Sequence, residues 1–342
     1  MATGLSITQQ RWHVFKQHRL GYSSLKIAIF ITLVTLFSNW IANDKPLLIS
    51  YKGHFYTPIV STYAETSFGG EFKTEAEYHS PYVQKLIQKH GWIIWPLIPF
   101  SPKTISLDPT SDPRAPSKDH WLGTDPAGHD VLTHLLYGLR LSILFGLSLT
   151  IICSIIGIFV GAIQGFYGGY IDLIGQRIIE IWSGMPLLYI LIILSSFITP
   201  SFFSLLAIMT VFGWMQLVGL VRAEFLKTRN FEYVKAARAL GLSNHKIIFK
   251  HVLPNALTAT ISFLPFILTA SITTLTALDF LGLGMPMGTP SLGSLLAISK
   301  NNLHAPWLGL SVFITLAMFL SLLLFIGEAA RDALDPHAEE LQ

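Results

Sequence analysis

The chain has 342 residues, of which 51% are hydrophobic and only 13% are charged, and its formal net charge is +3. Soluble domains carry about a quarter charged residues, so this depletion excludes an ordinary soluble protein and indicates that lipid is the solvent. The single cysteine, Cys153, excludes an intrachain disulfide and a cysteine-rich metal site.

Six apolar stretches are long enough to cross a bilayer, which takes about 20 residues of helix. The sequence predicts spans at roughly 25–42, 139–165, 175–197, 202–221, 256–281 and 307–326. The first stretch follows basic residues, as a secretory signal also does. It lacks a small-x-small cleavage site, so we interpret it as an uncleaved first membrane helix.

Basic residues are concentrated between the fourth and fifth predicted spans. They are Arg222, Lys227, Arg229, Lys235, Arg238, Lys246 and Lys250. The positive-inside rule therefore predicts that this loop and both termini are cytoplasmic. The predicted organisation is a cytoplasmic segment at 1–24, a first transmembrane helix at 25–42, a periplasmic insertion at 43–138, a five-helix core at 139–328 with a cytoplasmic loop at 222–255, and a cytoplasmic tail at 329–342.

Two segments outside the spans leave alternatives open. The insertion mixes aromatic and turn residues, which is compatible with a small folded cap with a hairpin at Lys52-Gly53 or with a loop that orders only on contact. The segment at 11–20 places Trp12 and Phe15 among basic residues. It is compatible with an amphipathic helix at the membrane surface, a short soluble helix or disorder.

Small residues and prolines predict how the spans pack and bend. Gly157, Gly161 and Gly165 recur every fourth residue, which lets another helix approach one face closely. The Gly184-Met185-Pro186 sequence and Pro265 predict kinks, because proline removes a helical hydrogen bond.

Ionisable residues are the usual indicators of function inside a membrane, and few occur here. Arg177 and Glu180 share a helix face and are predicted to pair, Asp279 lies near the outer end of the fifth span, and Arg140 begins the second. These positions favour structural roles over a substrate role. No series of carboxylates and histidines resembles a proton relay.

A polar group before and within the start of the second span raises the alternative of a membrane enzyme. It consists of His120, Asp125, His129, Asp130 and His134. The two last histidines are five positions apart, which misses the i, i+4 geometry of a helical metal-binding pair. The sequence therefore predicts no metal site, and no cofactor or nucleic-acid partner is expected.

The basic loop itself is predicted to be a helical hairpin. Asn230 is a candidate N-cap, Glu232 lies in the first turn and Arg238 in the last, where each charge complements the helix dipole. Gly241 is placed to end that helix in a left-handed conformation. Ser243 can cap a second helix, and Pro254 suits the first turn of the next span.

Ala236-Ala237, three further residues, Gly241 and then Leu253-Pro254 resemble the EAA loop of ABC importer permeases. Further motifs resemble the dipeptide/oligopeptide branch of that family, at 120–125, 138–142, 233–241, 251–255, 280–284, 305–307 and 331–336. The matches run in order from about residue 120 to the C-terminus. The insertion, with Phe-Gly-Gly-Glu-Phe at 68–72, is most similar to the microcin C/oligopeptide permease subtype.

The resemblance implies an all-α integral membrane protein with the type I ABC importer permease fold and an extracytoplasmic insertion between helices 1 and 2. It also implies that the hairpin couples the chain to an ATPase subunit. The implied coupling residues are Glu232, Lys235, Ala236, Ala237, Arg238, Gly241, Leu253 and Pro254. The chain departs from the family at Lys235, where glutamate is usual, and at His129 and His134, where arginine is common.

The function implied is that of a permease subunit of a binding-protein-dependent ABC transporter that imports oligopeptides, with microcin C-like peptides as a candidate cargo. The implied partners are a second paralogous permease, ABC ATPase subunits, a periplasmic peptide-binding protein and the lipid bilayer of the bacterial inner membrane. The chain has no phosphate-binding loop, so ATP hydrolysis is expected in the partners and not in this chain.

A path for peptides must offer hydrogen-bond partners to the backbone polar groups of the transported peptide. The candidate wall residues, at the interface with the second permease, are Ser142, Ser183, Ser271 and Thr273. The alternative is an ion-coupled secondary transporter, which the scarcity of intramembrane ionisable residues disfavours.

Overall fold

The computed structural model describes residues 7–106 and 113–334. The part of the C-terminal 331–336 motif that begins at Asp335 therefore lies outside the described residues. The chain divides into two compact units. The first unit comprises 1–29, 142–289 and 316–342, and the second comprises 30–141 and 290–315. The second unit thus contains the predicted insertion and, in addition, 290–315.

Helices dominate the described residues. In chain order they are α1 (Ile7–Gln17), α2 (Arg19–Leu36), α3 (Ser38–Ile41), α4 (Pro81–Gln88), α5 (Val131–Tyr167), α6 (Gly169–Ser183), α7 (Leu187–Ser195), α8 (Phe202–Gly213), α9 (Met215–Thr228), α10 (Glu232–Ala239), α11 (Asn244–Ile247), α12 (Leu253–Phe280), α13 (Leu292–Asn301) and α14 (Pro306–Leu334). A 3₁₀ turn covers Glu65–Phe68, and a π-helical turn covers Ile248–Val252. The strands are β1 (Leu48–Tyr51), β2 (His54–Tyr56) and β3 (Gly91–Ile94).

Within the described residues, five helical stretches are long and apolar enough to cross a membrane. They are Arg19–Leu36, Val131–Tyr167, Phe202–Thr228, Asn244–Phe280 and Pro306–Leu334. A sixth crossing results if α6 and α7 form one span, since that pair passes the same test together. Each of the six predicted spans overlaps one of these stretches, which confirms a predominantly helical membrane protein.

The pair α6 and α7 is bent by 66° at the predicted Gly184–Pro186 kink. Pro186 is the N-cap residue of α7, with an extended backbone. Proline has no N–H to donate to the preceding turn, and its ring clashes with that turn, so the helix ends and restarts there. At the second predicted kink, by contrast, α12 continues through Pro265.

In the first unit, the glycine face of α5 lies against the chain at 214–225. A Cβ atom added to Gly157, Gly161 or Gly165 would lie 2.7, 2.8 or 2.5 Å, respectively, from the nearest atom of that segment. A side chain at any of the three would therefore force the two helices apart. Cys153, one turn earlier, is also buried.

In the second unit, the three strands form an antiparallel sheet in the order β2-β1-β3. Lys52 and Gly53 join β1 to β2 with positive φ values of 50° and 81°. Two consecutive positive φ values are what a type I′ hairpin turn requires. The predicted hairpin is confirmed, and the insertion is a folded cap rather than a loop that orders only on contact.

An aromatic core holds this cap together around Phe68, which is fully buried. Four tyrosine rings contact it edge-on at centroid distances of 5.2–6.4 Å, namely Tyr51, Tyr56, Tyr63 and Tyr78. Helix α4 covers the same core with Val83 and Ile87. Burial, followed by the nearby Glu75 carboxylate, raises the pKa of the Tyr78 phenol, so the core stays uncharged.

The segment at 11–17 is helical, which decides against disorder for that part of the chain. In the first unit, Phe15 of α1 is buried with Ala329 and Ala333 of α14. The Arg11 guanidinium donates to the Thr258 hydroxyl at 3.1 Å. Trp12 stacks on Phe15 but stays half-exposed. The N-terminal helix is therefore anchored by one face.

Candidate functional site

The basic loop between α9 and α12 folds as a helical hairpin. Its first arm, α10, begins at Glu232 and carries Arg238 in its last turn. Gly241 follows with φ 77°. Its N–H donates to the Arg238 carbonyl (3.0 Å), while the Leu242 N–H donates to the Ala237 carbonyl (3.2 Å). These two bonds form a Schellman motif, which confirms the predicted glycine turn.

The predicted N-cap of α10 is wrong. Phe231 occupies that position, and no side chain caps the helix. The Asn230 amide instead donates to the Leu226 carbonyl at 3.0 Å, four residues back. Since α9 ends at Thr228, Asn230 is close enough to satisfy a free carbonyl of α9, and its side chain stabilises the end of that helix instead.

The second arm does not stop before the membrane. Helix α11 continues through the π-helical turn into α12, so the predicted second helix is the start of the fifth span. Ser243 is its N-cap residue, without a side-chain cap bond. Pro254 lies in the first turn of α12, as predicted. Proline offers no N–H to the preceding turn, and a π-helical turn accommodates the missing bond.

The hairpin shares one apolar core with the spans that flank it. Val234 and Ala237 of α10 are buried together with Ile247, Val252 and Phe225. The Tyr233 hydroxyl also accepts a hydrogen bond from the Asn255 amide at 2.8 Å. The hairpin is therefore not a flexible loop: its inner face belongs to the same packed cluster as α9 and α12.

Two polar contacts that were not predicted from the sequence stabilise the part of the first unit that carries the hairpin. Arg222 of α9 binds the Asp172 carboxylate of α6 with two nitrogens, one of them at 2.7 Å. Arg229 donates to the carbonyls of Gly165 and Phe166 at 3.2 and 3.3 Å, where α5 ends. Three helices are thereby tied together beside the hairpin.

The implied coupling residues separate into an inner and an outer set. Ala237 is only 6% exposed and lies in the shared core, so it cannot contact a partner. Leu253 is half-buried. The outer set, which is exposed, consists of Glu232, Lys235, Ala236, Arg238, Gly241 and Pro254. Of the two alanines in the motif, only Ala236 is therefore accessible to a partner.

Sequence analysis missed the most exposed apolar side chain of the hairpin, Leu240, which is 81% exposed. Its spacing of three residues from Ala237 predicts burial on the face of that residue. The helix ends at Ala239, however, and the glycine turn leaves Leu240 at the tip of the hairpin. Phe249 is exposed on the second arm as well. An apolar tip beside basic side chains is a surface suited to a protein partner.

The charges of α10 are arranged along its exposed side. Lys235 donates to Glu232 at 2.9 Å within one turn. Both side chains are well exposed, so this pair adds little stability. Lys235 therefore has a partner within its own helix. The Arg238 guanidinium lies 5.7 Å from the centre of the Phe166 ring.

The candidate wall residues fall into two pairs. Ser142 and Ser271 are buried within the chain, whereas Ser183 and Thr273 are exposed. The hydroxyls of Ser183, Ser271 and Thr273 each donate to a carbonyl three or four residues earlier in the same helix. Only the exposed pair is available to a second protein or to a passing substrate.

The ionisable residues singled out in the spans have local partners. Arg177 binds Glu180 at 2.5 Å, which confirms the predicted pair. Asp279 is buried and accepts the Met285 N–H at 2.6 Å, so it fixes the turn after α12. In the second unit, Arg140 donates to the Asn39 side chain at 3.0 Å. These contacts support the structural roles expected from the sequence.

The polar group at the start of the second span lies in the second unit, where α5 begins. It consists of His120, Asp125, His129, Asp130 and His134. Asp130 is bonded to the His120 ring at 2.9 Å and accepts the Thr133 N–H at 2.8 Å, so it caps the helix. Asp125, His129 and His134 form a separate cluster beside it. Because α5 starts at Val131, His129 precedes the helix, and the helical spacing used to exclude a metal site does not apply.

Apolar spans joined by a packed, basic hairpin with an exposed apolar tip define a multi-pass membrane protein. The fold is similar to that of a chain from the MetNI methionine ABC transporter in inward-facing conformations. The TM-score is 0.50 at 17% identity, over 59% of this chain and 96% of the other. The likeness establishes the type I importer permease fold.

The chain belongs to the family of binding-protein-dependent transport system inner membrane components, whose model matches residues 133–340. It is 53% identical over 332 residues to the inner membrane ABC transporter permease protein YejE of Escherichia coli (strain K12), covering 97% of each chain. It is 50% identical to the peptidoglycan transport system permease protein YejE of Agrobacterium fabrum, over 96% of this chain and 93% of that one.

A more distant relative is the oligopeptide transport system permease protein OppC of Bacillus subtilis, at 34% identity over 65% of this chain and 73% of that one. These relatives confirm the predicted permease family and its peptide branch. The protein is a multi-pass inner membrane component, and the microcin C subtype stays a prediction.

Proposed function

We propose that this chain is the permease subunit of a binding-protein-dependent ABC transporter that imports peptides across the bacterial inner membrane. The relatives include permeases named for oligopeptide and for peptidoglycan transport, which supports a cargo of peptides, including peptide-bearing peptidoglycan fragments. Microcin C-like peptides are a narrower candidate within this class.

The observation that carries the proposal is the hairpin, whose exposed tip directly follows a short helix with a buried face. An ATPase subunit that binds Leu240 and Gly241 would move α10 as a rigid element. Because Val234 and Ala237 are packed against α9 and α12, that movement would be transmitted directly to two spans. ATP-driven closure of the partner subunits would in this way shift the bundle between outward-open and inward-open states.

The remaining partners follow from the same mechanism. A second, paralogous permease would complete the path, with Ser183 and Thr273 on exposed faces of this chain. A periplasmic peptide-binding protein would deliver the cargo to the outer side. The hairpin and both termini would then be cytoplasmic, as the basic residues of the loop predict.

An isolation experiment tests the proposal. The tagged chain is extracted in a gentle detergent, and co-purifying proteins are identified by mass spectrometry. Recovery of an ABC ATPase and a second permease is expected. Recovery of the folded chain alone would contradict the proposal.

Uptake measurements separate the proposal from an ion-coupled secondary transporter. Proteoliposomes that contain the isolated complex are expected to take up a labelled peptide only when ATP reaches the ATPase side, with or without an ionophore. Uptake that needs an ion gradient but not ATP would establish the alternative instead.

A further inference from the structure

The cluster at the start of α5 contains a buried carboxylate with an unusual set of partners. Asp125 is 1% exposed. Its Oδ1 accepts the backbone N–H groups of Ala127 and His129 at 2.9 and 2.8 Å. Its Oδ2 faces the imidazoles of His129 and His134, at 3.1 and 4.0 Å. Within the described residues, these two histidines are the ion-pair partners of Asp125.

The backbone fixes the tautomer of His134. Its Nε2 lies 3.2 Å from the Pro102 carbonyl, which can only accept a hydrogen bond. Nε2 therefore carries the proton, and in the neutral ring Nδ1 has a free lone pair that faces Asp125. A histidine that binds a metal through one ring nitrogen typically donates the other ring N–H to a backbone carbonyl or carboxylate, as Nε2 of His134 does here.

The separations are close to those that a metal ion requires. One donor atom from each of the three residues can be chosen so that all lie within 4.8 Å of one another. Donor atoms bound to a tetrahedral zinc ion at about 2.0 Å lie about 3.3 Å apart. The His129–Asp125 pair already has this spacing, and the His134–Asp125 pair needs to close by less than about 1 Å to reach it.

We propose that Asp125, His129 and His134 bind a Zn²⁺ ion. Two imidazole nitrogens and one carboxylate oxygen are donors that zinc prefers, and three protein ligands leave a position for water. The ion would neutralise the charge of a carboxylate that is buried. The His129 Nδ1 proton, which now faces Asp125, would move to Nε2 or leave the protein on binding.

The site would connect three pieces of the second unit. Asp125 and His129 lie on the loop before α5, His134 lies on its first turn, and Pro102 belongs to the chain that follows β3. Zinc would lock this loop onto the helix from which the second span begins. His129 is partly exposed, so the ion can enter from the predicted periplasmic side.

Zinc binding is measured on the full chain in detergent, without a histidine tag and after treatment with a chelator. One Zn²⁺ per chain is expected by elemental analysis, and Co²⁺ in its place should give the visible absorption of a tetrahedral site. His129→Arg, His134→Gln and Asp125→Asn are each expected to weaken zinc affinity at least about 100-fold. His54→Gln, which alters an exposed histidine on β2, is the matched control and should bind zinc as the parent chain does.

Two of the variants are chosen to keep the fold. The guanidinium of His129→Arg can pair with the Asp125 carboxylate, and the Asp125→Asn amide oxygen can still accept the two backbone N–H groups. Both should unfold at the parent temperature when no zinc is present, while only the parent gains stability on adding Zn²⁺. Absence of zinc binding by the parent chain, or equal binding by all variants, would overturn the proposal.

Discussion

At the scale of single residues, Ala237 and Leu240 show why composition and spacing are incomplete guides to which side chains of the hairpin are exposed. Both are small or medium apolar residues of the hairpin, three positions apart. Ala237 closes the core shared with α9 and α12, whereas Leu240 follows the last helical residue and is exposed. Substitutions at the two positions are therefore expected to impair the protein in different ways, one through partner binding and the other through stability.

Leu240→Asp should leave the protein folded and lower peptide uptake at least about tenfold, because a charge would replace the apolar tip at a partner interface. Uptake by cells and co-purification of the ATPase are the measurements, with Leu240→Met as the conservative control. Normal uptake by Leu240→Asp at equal membrane levels would remove Leu240 from the docking surface.

Ala237→Asp should instead destabilise the chain itself by at least about 2 kcal/mol, because an unpaired carboxylate would be buried among apolar side chains. Thermal unfolding in detergent measures this loss, and Ala236→Asp is the matched control, since Ala236 is exposed. Equal unfolding temperatures for the two variants would show that Ala237 is not buried as described.

At the scale of elements, packing decides which glycines matter. Gly161 of α5 and Gly219 of α9 are both helical, but a Cβ on Gly161 would lie 2.8 Å from Val221, whereas one on Gly219 meets nothing within 4 Å. Spacing in the sequence identified the first and gave no information about the second.

Gly161→Ala is expected to lower stability by about 1–3 kcal/mol, because the methyl group forces two helix backbones apart. Gly219→Ala should be neutral or stabilising by up to about 1 kcal/mol, since alanine favours helix. Thermal unfolding of both variants in the same detergent compares them directly. An unaffected Gly161→Ala variant would contradict the close approach of α5 and α9.

The folded cap of the second unit depends on one ring. Phe68→Ala should lower the free energy of unfolding of the cap by about 3–5 kcal/mol, because the ring fills the centre of the aromatic core. Limited proteolysis between residues 43 and 106 reports on that loss. Phe55→Ala, at a position that is 68% exposed, should keep the parental resistance. Equal cleavage of the two variants would show that Phe68 does not organise the cap.

At the scale of the whole molecule, the basic hairpin predicts the orientation in the membrane. Leu240→Cys and Phe55→Cys place one exposed thiol on the hairpin and one on the cap, while the native Cys153 is buried. A membrane-impermeant thiol reagent should label Phe55→Cys only in right-side-out vesicles and Leu240→Cys only in inside-out vesicles. The parent chain gives the background, and labelling of both variants from one side would refute the predicted topology.

The sequence by itself determined the spans, the glycine turn at Gly241 and the bend at Pro186, and it offered the hairpin at Lys52-Gly53 as one of two alternatives. Each of these depends on local chemistry: apolar length, a positive φ or a missing N–H. The hairpin that contains Gly241 was found in the same way, from its charges and its glycine.

Only the tertiary structure decided which side of that hairpin is buried, that Asn230 bonds backward to α9, and that Asp125, His129 and His134 meet. These outcomes depend on where a helix starts or stops and on what it packs against. A shift of one or two residues in a helix end moves a side chain from one environment to another, and spacing along the chain does not record that shift.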